Sequence, residues 1–571
     1  MRSRSAALAV LALLVALPAT AVAQSPGSQS PVATAATATS ELTPPERLDA
    51  PPAGHRLTGQ QVEAIAARVP KVIKARRKYP RSYPSAYLKG PVLWQASFFS
   101  RDRPPKEIAQ VYIDDASGRV TEAWTGSQVA WTMARGYPGA FGRKVNSPWV
   151  WIPLTLLFVV PFVDPRRLWR ALHLDLLVLA AFGVSVAFFN DANIDVSVPL
   201  VYPLLVYLLA RMLWIGLRRP APGSTEGAPL RLLVPVQWLA VALVFLTGFR
   251  IGLNLTNSNV IDVGYAGVIG ADKITHLSAL WGHFPSDNPH GDTYGPLTYL
   301  AYVPFELVWP WHGRWDDLPA AHAAAVTFDL SCMGLLFLIG RRLRGPWLGV
   351  ILAYVWAAYP FPLYALDTNV NDALAGVLVL AAIAFAISPT GRGAFVGLAG
   401  MAKFAPLALA PLFIAHRPRR RALAATLACG AVVVAGLAFA AAFGGLHTFF
   451  DRTISFQASR GSPFSIWGQH GWHAAQVVVQ AGAALLAVAV ALVPRRRDVI
   501  GLAALAAAVL IALQLGVTHW FYLYIVWFFG PVMVALLGRA GAPVSAIRPL
   551  AAPTARAPAR SRRHAEPVSS G

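Results

Sequence analysis

From residue 148 to residue 540 the chain alternates long apolar runs with short polar or basic breaks. Runs at 149–163, 172–189, 196–217, 230–253, 322–340, 346–362, 371–388, 422–443, 474–493, 499–517 and 520–538 read as membrane-spanning helices. A helix needs about 20 apolar residues to cross a hydrocarbon core of about 30 Å. Two further apolar stretches are interrupted by proline: 294–312 by Pro296, Pro304 and Pro310, and 393–415 by Pro406 and Pro411. Proline removes a backbone donor and clashes inside a helix, so both are predicted to be broken or re-entrant. The expected fold class is a polytopic α-helical membrane protein with about eleven full spans and two broken segments.

Upstream the pattern changes three times. Arg2 and Arg4, the apolar run 6–17 and Ala21-Val22-Ala23 read as a signal peptide over 1–23. Residues 24–54, rich in Ala, Thr, Ser and Pro, read as a disordered linker. From 55 to 126 the pattern is that of a small α+β domain. A helical periodicity starts behind Thr58, a strand alternates through VLWQASFFS, and EIAQVYIDDASGRVTEAWTG reads as a hairpin around Asp-Ala-Ser-Gly. This order, with its V-Y-I-D-D-x-x-G-x-V hairpin, resembles a PepSY-type domain and implies a regulatory or binding module. Residues 127–147 are a connector, 148–229 hold accessory helices, 230–540 form the membrane core, and 541–571 make a basic disordered tail.

Composition supports the membrane assignment: 56% of the 571 residues are hydrophobic and 13% are charged, against about 25% charged in a soluble domain. The net charge of +22 lies in short Lys/Arg clusters between apolar runs and in the tails. That is the positive-inside pattern, with no basic module, and it excludes nucleic acid as a partner. Cys332 and Cys429 both sit inside apolar runs, so neither a disulfide framework nor a thiolate metal site is expected. The clusters at 164–170, 217–231, 341–345, 416–421 and 494–498 are placed in the cytoplasm. With the N-terminal domain outside, parity puts the polar island at 254–293 outside as well. Both proline-broken stretches then begin and end on one face. The expected location is the inner (plasma) membrane, with the chemistry extracytoplasmic.

Acids, amides and histidines collect on that outer face, whereas the cytoplasmic loops hold mainly Arg and Pro. Asp262 follows the mouth of a membrane helix, and Asp292 stands beside Tyr294. Lys403 lies within an apolar stretch, where insertion costs about 2.5–3.5 kcal/mol. It therefore implies an anionic partner, or else snorkels to an interface. The ordered set VIDVGYAGVIGADKI, TYGPLTYLAYVPF, DTNVNDALAG, GMAKFAPLALAPLF and SFQASRGSPFSIWG resembles the GT-C superfamily of integral-membrane glycosyltransferases. It is most like the family 87 polyprenyl-phosphate mannosyltransferases, over residues 230–540. Two departures stand out: Tyr-Gly-Pro replaces the usual Tyr-Pro-Pro, and Asp367-Thr368-Asn369 replaces Gly-Gln-x-Asn.

The resemblance implies inverting transfer of a sugar, mannose first, from a polyprenyl-phosphate donor to a hydroxyl of a glycan, glycolipid or protein. A lipid phosphate leaves without a protonating acid, so one carboxylate base suffices, unlike the two of glycoside hydrolysis. Asp262 is the expected base and Asp292 the second candidate, a turn-forming role being open for Asp292. Lys403 and Arg460 are candidates for the phosphate, Arg460 being otherwise a surface-loop cation. His519 beside Trp520 fits phosphate or sugar binding, or an interfacial anchor. Tyr265, Tyr294, Asn369, Asn371 and Gln457 complete the expected substrate-binding set. No ligand cluster demands a metal and no cofactor is expected, although a divalent cation bridging Asp262 and Asp292 stays open. Membrane lipids and the lipid-linked donor are the expected partners. The rival classes are a transporter or flippase, whose sites also use broken helices, and a non-catalytic sensor or assembly protein.

Overall fold

The computed structural model describes residues 42–136, 143–218, 227–416, 421–493, 496 and 498–545. The expected signal peptide, the linker up to residue 41, the tail beyond 545 and parts of the basic clusters lie outside the described residues.

The N-terminal unit is an antiparallel meander in the order β1 (Leu42–Thr43), β2 (Tyr83–Lys89), β3 (Leu93–Phe99), β4 (Glu107–Asp114) and β5 (Val120–Thr125). Two helices, α1 (Gly59–Ala67) and α2 (Pro70–Lys78), cover one face. Thr58 caps α1 as expected, in a reciprocal capping box with Gln61. The periodicity read as one helix is two, because a residue before proline avoids the α region and Val69 is extended. The linker boundary also moves: Leu42–Thr43, expected to be disordered, pair with Leu88–Lys89. Trp94, Ala96 and Phe98 of β3 pack with Val62, Ala66 and Val72 of the helices. The opposite face is polar but buried, holding Gln95, Ser97 and Gln110. Arg135 of the connector reaches it, donating to Gln110 Oε1 at 2.5 Å.

Asp115 ties the segment that leads into α1 to the sheet. Its carboxylate accepts from the Arg56 and Leu57 amides at 2.8 and 3.1 Å and from Trp94 Nε1 at 2.8 Å. Burial works against its charge, but these bonds, with His55 alongside, outweigh it and hold its pKa below the ordinary carboxylate value.

The membrane part begins with α3 (Pro148–Val159), α4 (Ala171–Asn190) and α5 (Ile194–Leu217). Next come α6 (Val236–Asn257), α7 (Asp262–Thr275), α8 (Pro319–Arg344), α9 (Pro346–Ala358) and α10 (Pro360–Asp367). Then follow α11 (Asp372–Ala384), α12 (Pro389–Ala402), α13 (Ala422–Ala442), α14 (His473–Leu492), α15 (Val499–Leu515) and α16 (Ile525–Leu537). Among the described residues, α4, α5, α6, α8, α13 and α14 are long and apolar enough to span, and α9 with α10 forms a seventh candidate bent by 58°. Six or seven elements thus meet the length and apolarity of a full span, against about eleven apolar runs in the sequence. The runs at 149–163, 371–388, 499–517 and 520–538 form shorter helices. The 13 residues of α11 rise about 20 Å at 1.5 Å each, short of a 30 Å core. Hydropathy read residues 385–388 as span, but α11 stops at Phe385.

Both proline-marked stretches are broken. Residues 294–312 hold two single-turn helices, Pro296–Leu300 and Val303–Glu306. Residues 393–415 divide at Lys403, which is extended between α12 and the 3₁₀ turn Ala405–Leu409. Two ion pairs inside the bundle were not read from the sequence. Arg211 forks onto Asp175 between α5 and α4, at 2.9–3.1 Å. Arg250 of α6 pairs with Asp329 of α8, which Trp356 Nε1 also meets at 2.8 Å. The tail starts later than expected, since β7 (Gly541–Ser545) pairs in parallel with β6 (Pro229–Leu232). The accessory helices join the core through Tyr522, whose hydroxyl lies 2.7 Å from Ser185 Oγ and 2.6 Å from Ser197 Oγ.

Asp115→Ala leaves Trp94 Nε1 and two amides without their acceptor, so the N-terminal unit should lose about 2–4 kcal/mol. Hydrogen exchange on the full-length protein should quicken in β3 and β4 while the membrane helices stay unchanged. Unaltered exchange in β3 would remove Asp115 from this role. Because its folded pKa is depressed, its contribution is present above about pH 4 and is lost as pH falls through the lower folded value.

Candidate active site

Residues 258–261 leave α6 and run beside the turn that ends α10. The Asn259 amide donates to Asp367 O at 3.1 Å and the Ile261 amide to Thr368 O at 3.2 Å. That turn requires Asn369 at φ 51°, a conformation that asparagine tolerates better than most side chains. Asn369 Nδ2 donates to Ser258 Oγ and Asn259 O, both at 3.0 Å, and its Oδ1 accepts from Asn254 at 2.8 Å. Asn371 Nδ2 reaches Val263 O at 3.3 Å, and Asn288 Nδ2 reaches Asp262 O at 2.9 Å. A Cβ on Gly264 would stand 2.1 Å from Asn369 O. The start of α7 is thus held against the start of α11, and Asp262 is its first helical residue.

The break after α12 supplies the facing groups. Ala402 O, freed where the helix ends, accepts from the Gly295 amide at 3.2 Å and Thr298 Oγ1 at 2.8 Å. A Cβ at 295 would meet Met401 O at 2.0 Å, and a proline there would have no N–H to donate. This accounts for the glycine of Tyr-Gly-Pro. Lys403 Nζ then lies 3.3 Å from Asp372 Oδ1 and 4.3 Å from the centroid of the Tyr294 ring. Trp527 Nε1 donates to the same Asp372 oxygen at 2.9 Å.

Arg460 comes from the segment after a π-turn at Asp451–Ser455 and the short helix Phe456–Ser459. Its guanidinium makes no hydrogen bond or ion pair with the described residues and lies over Trp131 at 5.2 Å and Phe456 at 5.9 Å. Arg460, Lys403 and Asp372 all act electrostatically on Asp262, as Asp262 and Asp372 do on Tyr294. Among the described residues Asp262 has no side-chain hydrogen-bond or ion-pair partner; the Val263 amide serves its carboxylate. Withdrawal from solvent raises its pKa above the ordinary carboxylate value, with Asp372 adding to the rise and Arg460, the Val263 amide and Lys403 opposing it. His519, 2.9 Å from Ser462 Oγ, is kept neutral by burial and by the charge of Arg460.

Of the residues selected from sequence, Asp262, Lys403, Tyr294, Arg460 and His519 are therefore neighbours. Asn369 and Asn371 serve the backbone that positions them. The remaining candidates are placed otherwise. Asp292 is buried, accepting from Arg452 Nε at 2.7 Å and the Gly282 amide at 2.6 Å. Tyr265 bonds Asp287 at 3.0 Å and stacks on Trp315 at 4.8 Å. Gln457 is exposed and outside the cluster. Sequence selection missed Asp372, Trp527 and Trp131. Asp372, an acid at the first position of an apolar helix behind an Asn-rich turn, offered a readable signal. Among the described residues no group of three or more His, Cys, Asp or Glu side chains is assembled to hold a metal ion.

The apolar helices of this polytopic bundle fit a membrane glycosyltransferase of the GT-C type. Residues 293–518 match the family model of glycosyltransferase family 87. That stretch carries Tyr294, Asp372, Lys403 and Arg460, with Asp262 upstream of it and His519 one residue beyond. No curated protein and no solved structure matches the chain.

Gly264→Ala should push α7 away from the 367–369 turn and lower sugar transfer at least about tenfold, since misplacing a reacting group by about 1 Å costs up to ~10²-fold. Activity and thermal melting measured together check this. Wild-type transfer by the variant would show that the close approach does not position Asp262.

Proposed function

We propose that the protein moves a sugar, mannose first among candidates, from a polyprenyl-phosphate donor to an acceptor hydroxyl on the extracytoplasmic face of the plasma membrane. The observation that carries this reading is the carboxylate of Asp262, unpaired and recessed, within the field of two cations. Asp372 is held by Lys403 and Trp527, which leaves Asp262 as the free base. In the proposed step the acceptor oxygen attacks the anomeric carbon while its proton passes to Asp262. The bond from that carbon to the phosphate oxygen breaks, and the electron pair leaves with the lipid phosphate. Arg460 and Lys403 stabilise the charge that develops there. A single displacement inverts the anomeric carbon. Tyr294 and His519, near the same cations, contribute to donor binding. The acceptor is a glycan, glycolipid or protein hydroxyl.

A base in this role contributes about 10²–10⁴-fold, so Asp262→Ala should lose that factor with labelled polyprenyl-phosphate mannose and purified protein. Full transfer by the variant would sink the assignment. A base works deprotonated, and the pKa of Asp262 is raised. The wild-type rate should therefore climb with pH along an acid limb above about pH 4, and that limb should vanish from the residual activity of Asp262→Asn.

The orientation is tested separately. His276 is exposed at the end of α7, and both native cysteines are buried. His276→Cys should react with a membrane-impermeant maleimide in intact cells. Labelling only after lysis would place the site on the cytoplasmic face.

A further inference from the structure

The connector after the outer domain reaches the site. Gly126 leads into a short helix, Ser127–Ala130, and a 3₁₀ turn, Thr132–Arg135, with Trp131 between them. Trp131 lies under the Arg460 guanidinium at 5.2 Å, beside the His519 ring at 5.6 Å, and edge-on to Phe464 at 5.5 Å. Arg460 has no hydrogen-bond or ion-pair partner among the described residues, and its Nε is buried without one. Among the described residues Trp131 and Phe456 alone offer it a ring face.

Trp131 is itself fixed from both sides. Gln128 Nε2 donates to Ala134 O at 3.0 Å and to Ala192 O, between α4 and α5, at 2.8 Å. Arg135 donates to Gln128 O at 2.9 Å, to Val129 O at 3.2 Å and to Gln110 on β4. Gly136, at φ 56°, sits so close to the α4–α5 turn that a Cβ would meet Asn190 O at 2.4 Å. The outer sheet, the accessory helices and the ring under Arg460 are therefore one connected piece.

We infer that Trp131 is a positioning residue of the transferase, holding Arg460 by a cation–π contact in the place where it meets the phosphate of the lipid-linked donor. The inference rests on the role proposed above for Arg460. It makes the outer domain and its connector part of the donor site. A long, flexible arginine without acceptors has many rotamers. One ring face selects among them without neutralising the charge, which stays available to an incoming anion.

The test is a double-mutant cycle on equilibrium binding of polyprenyl phosphate to the detergent-purified full-length protein. Arg460→Ala should weaken binding, and Trp131→Leu, which keeps apolar bulk but removes the ring, should weaken it roughly 5-fold. Trp131→Phe should recover most of that loss. In the Arg460→Ala background Trp131→Leu should add nothing. Equal binding by Trp131→Leu and wild type, or full additivity of the two losses, would overturn the coupling. Should Trp131→Leu fail to fold, Trp131→Phe replaces it, with a smaller loss expected that again disappears without Arg460. If Arg460→Ala binds as wild type does, the phosphate role of Arg460 is wrong and the inference falls with it.

Discussion

A helix that ends inside an apolar segment frees carbonyls that lipid cannot satisfy, and each must find a donor within the protein. The end of α12 is such a place, and much of the site follows from it. The donors come from Gly295 and Thr298, so the 294–300 segment must itself leave the helical path and approach closely enough to exclude a side chain at 295. That approach sets Tyr294 against Lys403. Lys403, released from the helix, needs an anion in turn, which Asp372 provides at the start of α11. The two broken stretches are therefore one mated feature, each satisfying what the other leaves open.

The same demand separates the acids. Asp175, Asp292, Asp329 and Asp372 each pair with a cation: Arg211, Arg452, Arg250 and Lys403 respectively. Breaking such a buried pair costs about 3–5 kcal/mol, so these groups are committed to structure. Asp367 has no hydrogen-bond partner for its carboxylate among the described residues, but both its oxygens are sealed from solvent. Asp262 combines an unpaired carboxylate with partial exposure and nearby cations. Its neighbours hold its backbone and leave the carboxylate almost free, which suits a group that must accept a proton from a visiting molecule.

Much of this was legible in the sequence, because membrane insertion writes strong signals. Proline marked both breaks, a lysine inside an apolar run marked the second, and an acid at a helix mouth marked α7. The strands β3, β4 and β5 followed from alternation and a turn. Other features were hidden for physical reasons. Hydropathy reads composition and not where a helix stops, so the run at 371–388 reads longer than α11. Arg250 and Asp329 lie 79 positions apart, and nothing local announces their pairing. Asp292 and Tyr265 resembled Asp262 and Tyr294 in setting, yet their partners, Arg452 and Asp287, come from loop folding that no periodicity encodes. Trp131 carried no sign at all, since a tryptophan in a connector reads as ordinary until the chain returns to meet it.

The charges of the cluster have a consequence for the order of events. Asp262 and Asp372 match Lys403 and Arg460 in number, while burial and Arg460 press His519 toward its neutral form, so the formal charges of these two acids and two bases balance before any substrate enters. A sugar esterified to a lipid phosphate brings one negative charge. On the proposed reading it settles against Arg460 and Lys403, the same cations that favour the ionised form of Asp262. Once they are engaged by phosphate, their pull on the Asp262 carboxylate weakens and its affinity for a proton rises further. The base therefore grows stronger as the donor binds, and an acceptor hydroxyl arriving second meets a more capable base than one arriving first. Electrostatics alone favours donor before acceptor, without any movement of the helices.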